Sequence, residues 1–176
     1  YVPMNWNKKL YLQGKLIYKF SPFTKLKYTL INDDVTYQDY DRMYRYNPNG
    51  NLTRFRLGRT HLLNLNHSFS GKTFVSVGFT RFNKSYNHQT YAKDQWNKYV
   101  HPKLLNSQPY SFLTGGTNPS VFSRQTSTTT LKIDLTSQMN KQHQVKTGID
   151  FRFHQLSYVD YSLRPPDEKA SFNCRR

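Results

Sequence analysis

The six histidines are the first candidates for chemistry, because imidazole is both a common metal ligand and a proton carrier. They occur at positions 61, 67, 88, 101, 143 and 154. No two of them have the H-x-H or H-E-x-x-H spacing of a metal site. His61 and His67 share one face of a predicted strand, but six extended residues hold them about 20 Å apart. The sequence therefore predicts no metal site.

The aspartates around residue 39 offer the oxygen ligands that Ca²⁺ prefers. Asp39 and Asp41 follow Asp33 and Asp34, yet the segment lacks the glycine and the terminal glutamate of a calcium loop. Residues 115–116 are two glycines, but no Lys-Ser or Lys-Thr pair follows them as in a phosphate-binding loop. No G-x-S-x-G, P-loop or dinucleotide motif occurs. We predict that the chain is not an enzyme, with no catalytic residue and no cofactor.

Aromatic residues in the predicted loops are the strongest binding candidates. They alternate with arginine, lysine and asparagine side chains, so they offer stacking and hydrogen bonding to a polar-aromatic ligand. The alternative is that they pack the loops against one another or lie at a membrane interface. The predicted ligand contacts are Tyr40, Tyr44, Tyr46, Trp96, Tyr99 and Tyr110.

The balance of charge raises a nucleic-acid hypothesis, since 26 Lys and Arg face 10 Asp and Glu for a net charge of +16. The cations are spread through the chain, however, and no paired-aromatic RNA-binding motif accompanies them. We therefore expect them to line polar sheet faces and loops, without a nucleic-acid partner. The single cysteine, Cys174, excludes an internal disulfide.

The elements that must position these residues are β-strands, because apolar and polar residues alternate with a period of two. The clearest case is the hairpin at 124–158. Leu131, Ile133 and Leu135 share one face of its first strand, and Ile149 and Phe151 share one face of its second strand. Both sets fall on one side of the sheet only if the turn within residues 140–144 has odd length. The predicted strands are 8–20, 24–40, 52–69, 72–86, 124–139 and 144–158.

The connections between these strands differ systematically in length. Tight turns at 21–23, 70–72 and 141–143 alternate with long connections at 34–52 and 88–123. In an antiparallel meander all the short turns then lie at one end, as in outer-membrane barrels. The strands also reach the roughly 9–11 residues that cross a bilayer when tilted. We predict an all-β up-and-down meander over 1–163 and an unstructured tail over 164–176.

Two stretches resemble the barrels of TonB-dependent outer-membrane receptors, most closely the large receptors of Bacteroidetes and Ignavibacteria-like bacteria. They are YRYNPNGNLTRFRLGRTHLLNLNHSFSGKTFVSVGFTRFNKSY and VHPKLLNSQPYSFLTGGTNPSVFSRQTSTTTLKIDLTSQMNKQHQVKTGIDFRFHQLSY. The resemblance implies a 22-stranded transmembrane barrel in the outer membrane, closed by a plug and energised by the TonB complex through a TonB box. It carries over no individual binding residue.

Under this hypothesis the chain is a fragment of the barrel, without plug or TonB box, and does not transport on its own. Its partners would be outer-membrane lipid, the TonB complex through the full-length protein, and an imported nutrient such as a metal chelate. Two alternatives stay open. One is a non-transporting outer-membrane barrel or surface adhesin, and the other is a soluble basic β-protein that binds nucleic acid.

Overall fold

The computed structural model, which describes residues 3–100 and 112–164, is a single six-stranded antiparallel sheet. The strands pair in chain order, each with the next, so the predicted all-β up-and-down meander is confirmed. None of the helices in these two ranges is long and apolar enough to cross a membrane. The strands are β1 (Trp6–Ser21), β2 (Thr24–Gln38), β3 (Thr53–Ser70), β4 (Thr73–Gln89), β5 (Ser120–Gln138) and β6 (Gln144–Ser162).

Three short turns join the hairpins at one end of the sheet. Two of them contain two residues each, and the ladder beside each turn is irregular, between Lys19 and Ser21 and between Ser68 and Ser70. The third connects Gln138 to its partner Gln144, which gives it the odd length expected. Ile133 consequently lies opposite Ile149, so both apolar sets of this hairpin share one face.

The strands differ from the predicted ones mainly at the end with long connections. β4 continues to Gln89, β5 begins at Ser120 and β6 runs to Ser162, whereas β2 stops at Gln38. The predicted loop 88–123 is therefore shorter at both ends. The added residues are mostly polar, so no alternation of apolar and polar residues marks them as strand in the sequence. They are strand because their backbone groups pair with the neighbouring strand. Of the predicted tail, Arg164 is irregular and 165–176 lie outside the described residues.

The long connections form the most enclosed part of the molecule. They contain three short 3₁₀ helices, Arg42–Tyr44, Pro48–Gly50 and Lys93–Lys98. Backbone hydrogen bonds tie one connection to the other, from Leu113 N to Met43 O at 2.8 Å and from Asn118 N to Gly50 O at 2.8 Å. Within the described ranges, the buried hydrophobic side chains are Val35, Tyr44, Tyr99, Leu113 and Val121, all near this end.

The two faces of the sheet differ in chemistry, because residues opposed across a ladder share a face. One face, here called the banded face, carries two rows of apolar residues across all six strands. None of these residues is buried, and on this face the apolar rows give way to polar ones toward the long connections. The rows are Leu16, Tyr28, Leu63, Phe79, Leu131 and Phe151, and Tyr18, Leu26, Leu65, Val77, Ile133 and Ile149.

The opposite face, here called the charged face, collects most of the strand cations. The registers place on it Lys9, Lys15, Lys19, Lys25, Lys27, Arg54, Arg56, Lys84, Arg124, Lys132, Lys146 and Arg152. Aspartates neutralise some of them, as in the ion pair of Arg152 with Asp150 at 2.7 Å. The even spread of cations along the sequence thus becomes a one-sided distribution in the sheet.

Candidate functional site

The densest group of functional side chains lies on the charged face, below the long connections. Two adjacent rows of the ladder bring together residues from β2 to β5. One row contains Tyr37, Arg54, His88 and Phe122, and the next contains Arg56, Tyr86 and Arg124. These seven residues are called the arginine–aromatic cluster.

The aromatic members of the cluster contact one another closely. The rings of His88 and Phe122 stack with their centroids 5.3 Å apart. Tyr86 meets both of them edge-on, at 5.8 Å from His88 and 5.9 Å from Phe122. Because each ring is held by two others, the cluster presents a preformed aromatic surface.

The guanidinium groups of the cluster lie against these rings. Arg124 sits over the ring of Tyr86 at 5.9 Å, and Arg54 sits over the ring of Tyr37 at 5.9 Å. Such cation–π contacts orient the guanidinium so that its edge can bond an acceptor, which for Arg54 is the carboxylate of Asp39. The arrangement is suited to a ligand that combines negative charge with a planar group.

Aspartates compensate only part of the positive charge of the cluster. Arg54 pairs with Asp39, and Arg56 pairs with Asp33 at 3.5 Å. Among the described residues, Arg124 has no carboxylate within ion-pair distance. Asp33 is also shared with Lys9, whose Nζ lies 3.6 Å from Oδ1, an oxygen that is buried and accepts no hydrogen bond. Asp160 opposes Phe122 in the first row, so the three arginines and Lys9 face three carboxylates and the group keeps only a small positive excess.

A shallow open depression of about 320 Å³ adjoins the cluster on the same face. Its lining includes Gly58, which has no side chain, Phe82, the cations Arg56 and Lys84, and the carboxylate of Asp33. A depression of this size accommodates a small polar solute, with two cations available to an acidic group and one carboxylate available to a basic group. In the described ranges, no three His, Cys, Asp or Glu side chains are grouped closely enough to hold a metal ion.

Two of the loop aromatics predicted as ligand contacts are exposed. Tyr40 is 53% exposed and Tyr46 is 60% exposed. Tyr46 packs edge-on against Phe112 at a centroid distance of 5.2 Å, and the guanidinium of Arg45 lies within 6 Å of both rings, at 5.7 and 5.9 Å. This pair forms a second aromatic and cationic surface, at the outer edge of the connections.

The other predicted contacts lie deeper or outside the described residues. Tyr44 and Tyr99 are buried, and the Tyr99 hydroxyl accepts hydrogen bonds from the backbone N–H groups of Thr90 and Tyr91. Trp96 is half-buried, with an indole N–H that has no partner among the described atoms. Tyr110 lies outside the described residues. Ligand binding by these aromatics stays a prediction, with Tyr44 and Tyr99 also packing the connections.

Burial raises the pKa of the Tyr44 hydroxyl above its ordinary value of 10.0, and the nearby Asp41 carboxylate raises it further. Above pH 10.0 the unfolded chain loses this proton while the folded chain keeps it, so stability falls as the pH rises. We expect the free energy of unfolding to fall less steeply above pH 10.0 in Tyr44→Phe than in the natural chain. Alkaline unfolding followed by circular dichroism measures both slopes, and equal slopes would contradict the burial of an ionisable Tyr44.

Comparison with protein-family models, with curated proteins and with solved structures finds no match. The resemblance to TonB-dependent receptors therefore rests on the sequence stretches alone.

Sequence reasoning placed the strand arginines on a polar wall but did not assemble the cluster. The available signal was three short alternations, in which β3, β4 and β5 each contribute two cluster residues that are two positions apart. They are Arg54 with Arg56, Tyr86 with His88, and Phe122 with Arg124. Only the strand register shows that these pairs lie in the same two rows.

Proposed function

We propose that the chain forms part of the wall of an outer-membrane β-barrel of the TonB-dependent receptor class, with the banded face toward lipid and the charged face toward the lumen. One observation carries this proposal. Two unbroken apolar rows cross all six strands, and seven of their twelve side chains are exposed. A soluble sheet buries such a face against a second layer, whereas a barrel wall presents it to acyl chains.

The length of the apolar run on β1 supports a transmembrane orientation. Leu10, Leu12, Leu16, Tyr18 and Phe20 all lie on the banded face, exposed by 55–71%. Ten residues of strand extend about 33 Å, which at a tilt near 40° covers the roughly 25 Å apolar height of an outer-membrane barrel. On β3 and β4 the apolar run is shorter, because His61 and Arg81 follow the two complete rows toward the long connections.

The position of the arginine–aromatic cluster suggests how such a wall would serve uptake. The cluster lies on the charged face beside the long connections, which in this orientation are extracellular. An imported solute would meet Tyr46 and Phe112 first and then the guanidinium groups of the cluster. The TonB complex and the plug belong to the same proposal through the full-length receptor, and the substrate class is an anionic nutrient such as a metal chelate.

Folding into vesicles tests the membrane orientation. The purified chain is unfolded in urea and diluted into phosphatidylcholine vesicles or into buffer alone. We expect sheet structure and flotation with the vesicles, where copies of the chain pair through the β1 and β6 edges so that no strand edge faces lipid, and precipitation in buffer. A chain that stays soluble without lipid and binds DNA with a steep salt dependence would instead be a basic nucleic-acid-binding protein.

A further inference from the structure

Two arginines stand on the banded face where its apolar rows end. Arg59 and Arg81 are both exposed and lie in the first two rows beyond the apolar ones. Arg59 opposes Asn83 and Arg81 opposes His61, so the two arginines are diagonal neighbours across β3 and β4. Of the other Lys and Arg residues in the six strands, only Lys8 at the start of β1 shares this face, and the remaining twelve lie on the charged face.

Nothing in the described part of the chain neutralises this pair. Neither arginine has a carboxylate within ion-pair distance in residues 3–100 and 112–164. The only acidic residue in the strand rows close by on this face is Asp34, which opposes Leu57 and forms no ion pair with Arg59. Two like charges at neighbouring positions of a sheet disfavour one another. An anion bound between them would remove this repulsion.

The surroundings of the pair narrow the class of anion. Asn83 and Asn32 oppose Arg59 on its two sides, and Thr129 opposes Arg81. Guanidinium forks surrounded by amide and hydroxyl donors match the oxygens of a phosphate group. On the side away from the long connections the pair borders the apolar rows, beginning with Leu63 and Phe79.

We infer that Arg59 and Arg81 bind the phosphate group of an anionic lipid whose acyl chains lie along the apolar rows. The assignment rests on the proposed membrane orientation, because only a lipid offers a phosphate and acyl chains in this order. It also accounts for the short apolar run on β3 and β4, since the lipid headgroup reaches the wall at that level. An arginine that only snorkels to water would have no preference among headgroups.

The test compares two kinds of vesicle, phosphatidylcholine alone and phosphatidylcholine mixed with phosphatidic acid. The full chain is expected to associate more tightly with the mixed vesicles. Each arginine at an anionic surface contributes about fivefold, so Arg59→Gln combined with Arg81→Gln should reduce this preference on the order of 25-fold. Preference is measured as the ratio of the dissociation constants for the two vesicle types.

A matched control removes the same charge from the other face. Lys15→Gln combined with Lys25→Gln alters two exposed cations of the charged face and should change the preference much less. An equal loss in both double variants would show attraction by net charge alone and would overturn the inference.

Added inorganic phosphate, compared with chloride at the same ionic strength, should not abolish the preference. If it does, the pair binds free phosphate and the lipid assignment is wrong.

The outcomes distinguish a failure of the lipid-phosphate site from a failure of the proposed membrane orientation. A chain that does not float with phosphatidylcholine vesicles contradicts the membrane orientation. A chain that floats with both vesicle types equally contradicts only the lipid-phosphate site. If the double variant fails to fold, the single variants Arg59→Gln and Arg81→Gln replace it, each with an expected loss of preference of about fivefold against no comparable loss in Lys15→Gln.

Discussion

Leu16→Arg should abolish stable folding of the chain into vesicles, whereas Ile17→Arg should leave it nearly unchanged. The two residues are neighbours on β1, with side chains 71% and 48% exposed, but Leu16 lies in an apolar row of the banded face and Ile17 on the charged face. An arginine facing the middle of the bilayer costs about 2–4 kcal/mol in a barrel wall. On the lumen side it meets water and costs little.

Tryptophan fluorescence during urea titration in vesicles measures both variants, because Trp6 lies on β1 and its indole donates to the Gln38 side chain at 2.9 Å. Equal stability of the two variants would contradict the assignment of the faces. Arginine substitutions at Gly148 and Thr136, which also lie on the charged face, are poorer controls than Ile17→Arg. Thr136 is buried, and a Cβ at Gly148 would lie 2.6 Å from an Asp134 carboxylate oxygen.

Gly50→Ala should separate the two long connections without unfolding the strands. A Cβ at residue 50 would overlap the backbone oxygen of Gly116 and the side-chain amide of Asn47. These two groups are themselves hydrogen-bonded at 2.6 Å, and Gly50 O accepts from Asn118 N. Overpacking at such a point costs about 1–3 kcal/mol.

Amide hydrogen exchange at Leu113 and Asn118 reports on this separation, since both N–H groups donate across the two connections. We expect faster exchange at both amides in Gly50→Ala and unchanged exchange in the strand ladders. Gly115→Ala is the matched control, because a Cβ there meets open space. Slow exchange at Asn118 in Gly50→Ala would show that the connections do not depend on close packing at this glycine.

The arrangement of the connections matters for the arginine–aromatic cluster beneath them. His88 lies near the end of β4, where its Nε2 is 3.2 Å from the Ser120 hydroxyl at the start of β5. Arg54 lies at the start of β3 and reaches Asp39 just beyond β2. Because both residues stand where a connection begins, a change in the connections moves the cluster as well.

The sequence by itself determined the class of the fold, the number of strands and the parity of the last hairpin. A period of two marks which residues share a strand face, and proline, glycine and asparagine mark where the chain turns. Both signals are local, so they can be read without knowing which strand is the partner. The strand ends beside the long connections carried no apolar period, and they were therefore placed one to four residues away from their observed positions.

Only the tertiary structure decided which residues meet across the ladders. The arginine–aromatic cluster draws on four strands, and Tyr37 and Phe122 are 85 positions apart in the chain. The same registers gather the cations on one face and set Arg59 beside Arg81 on the other. A shift of one residue in any pairing would turn a strand over relative to its neighbours, and this long-range choice is not encoded in the alternation of a single strand.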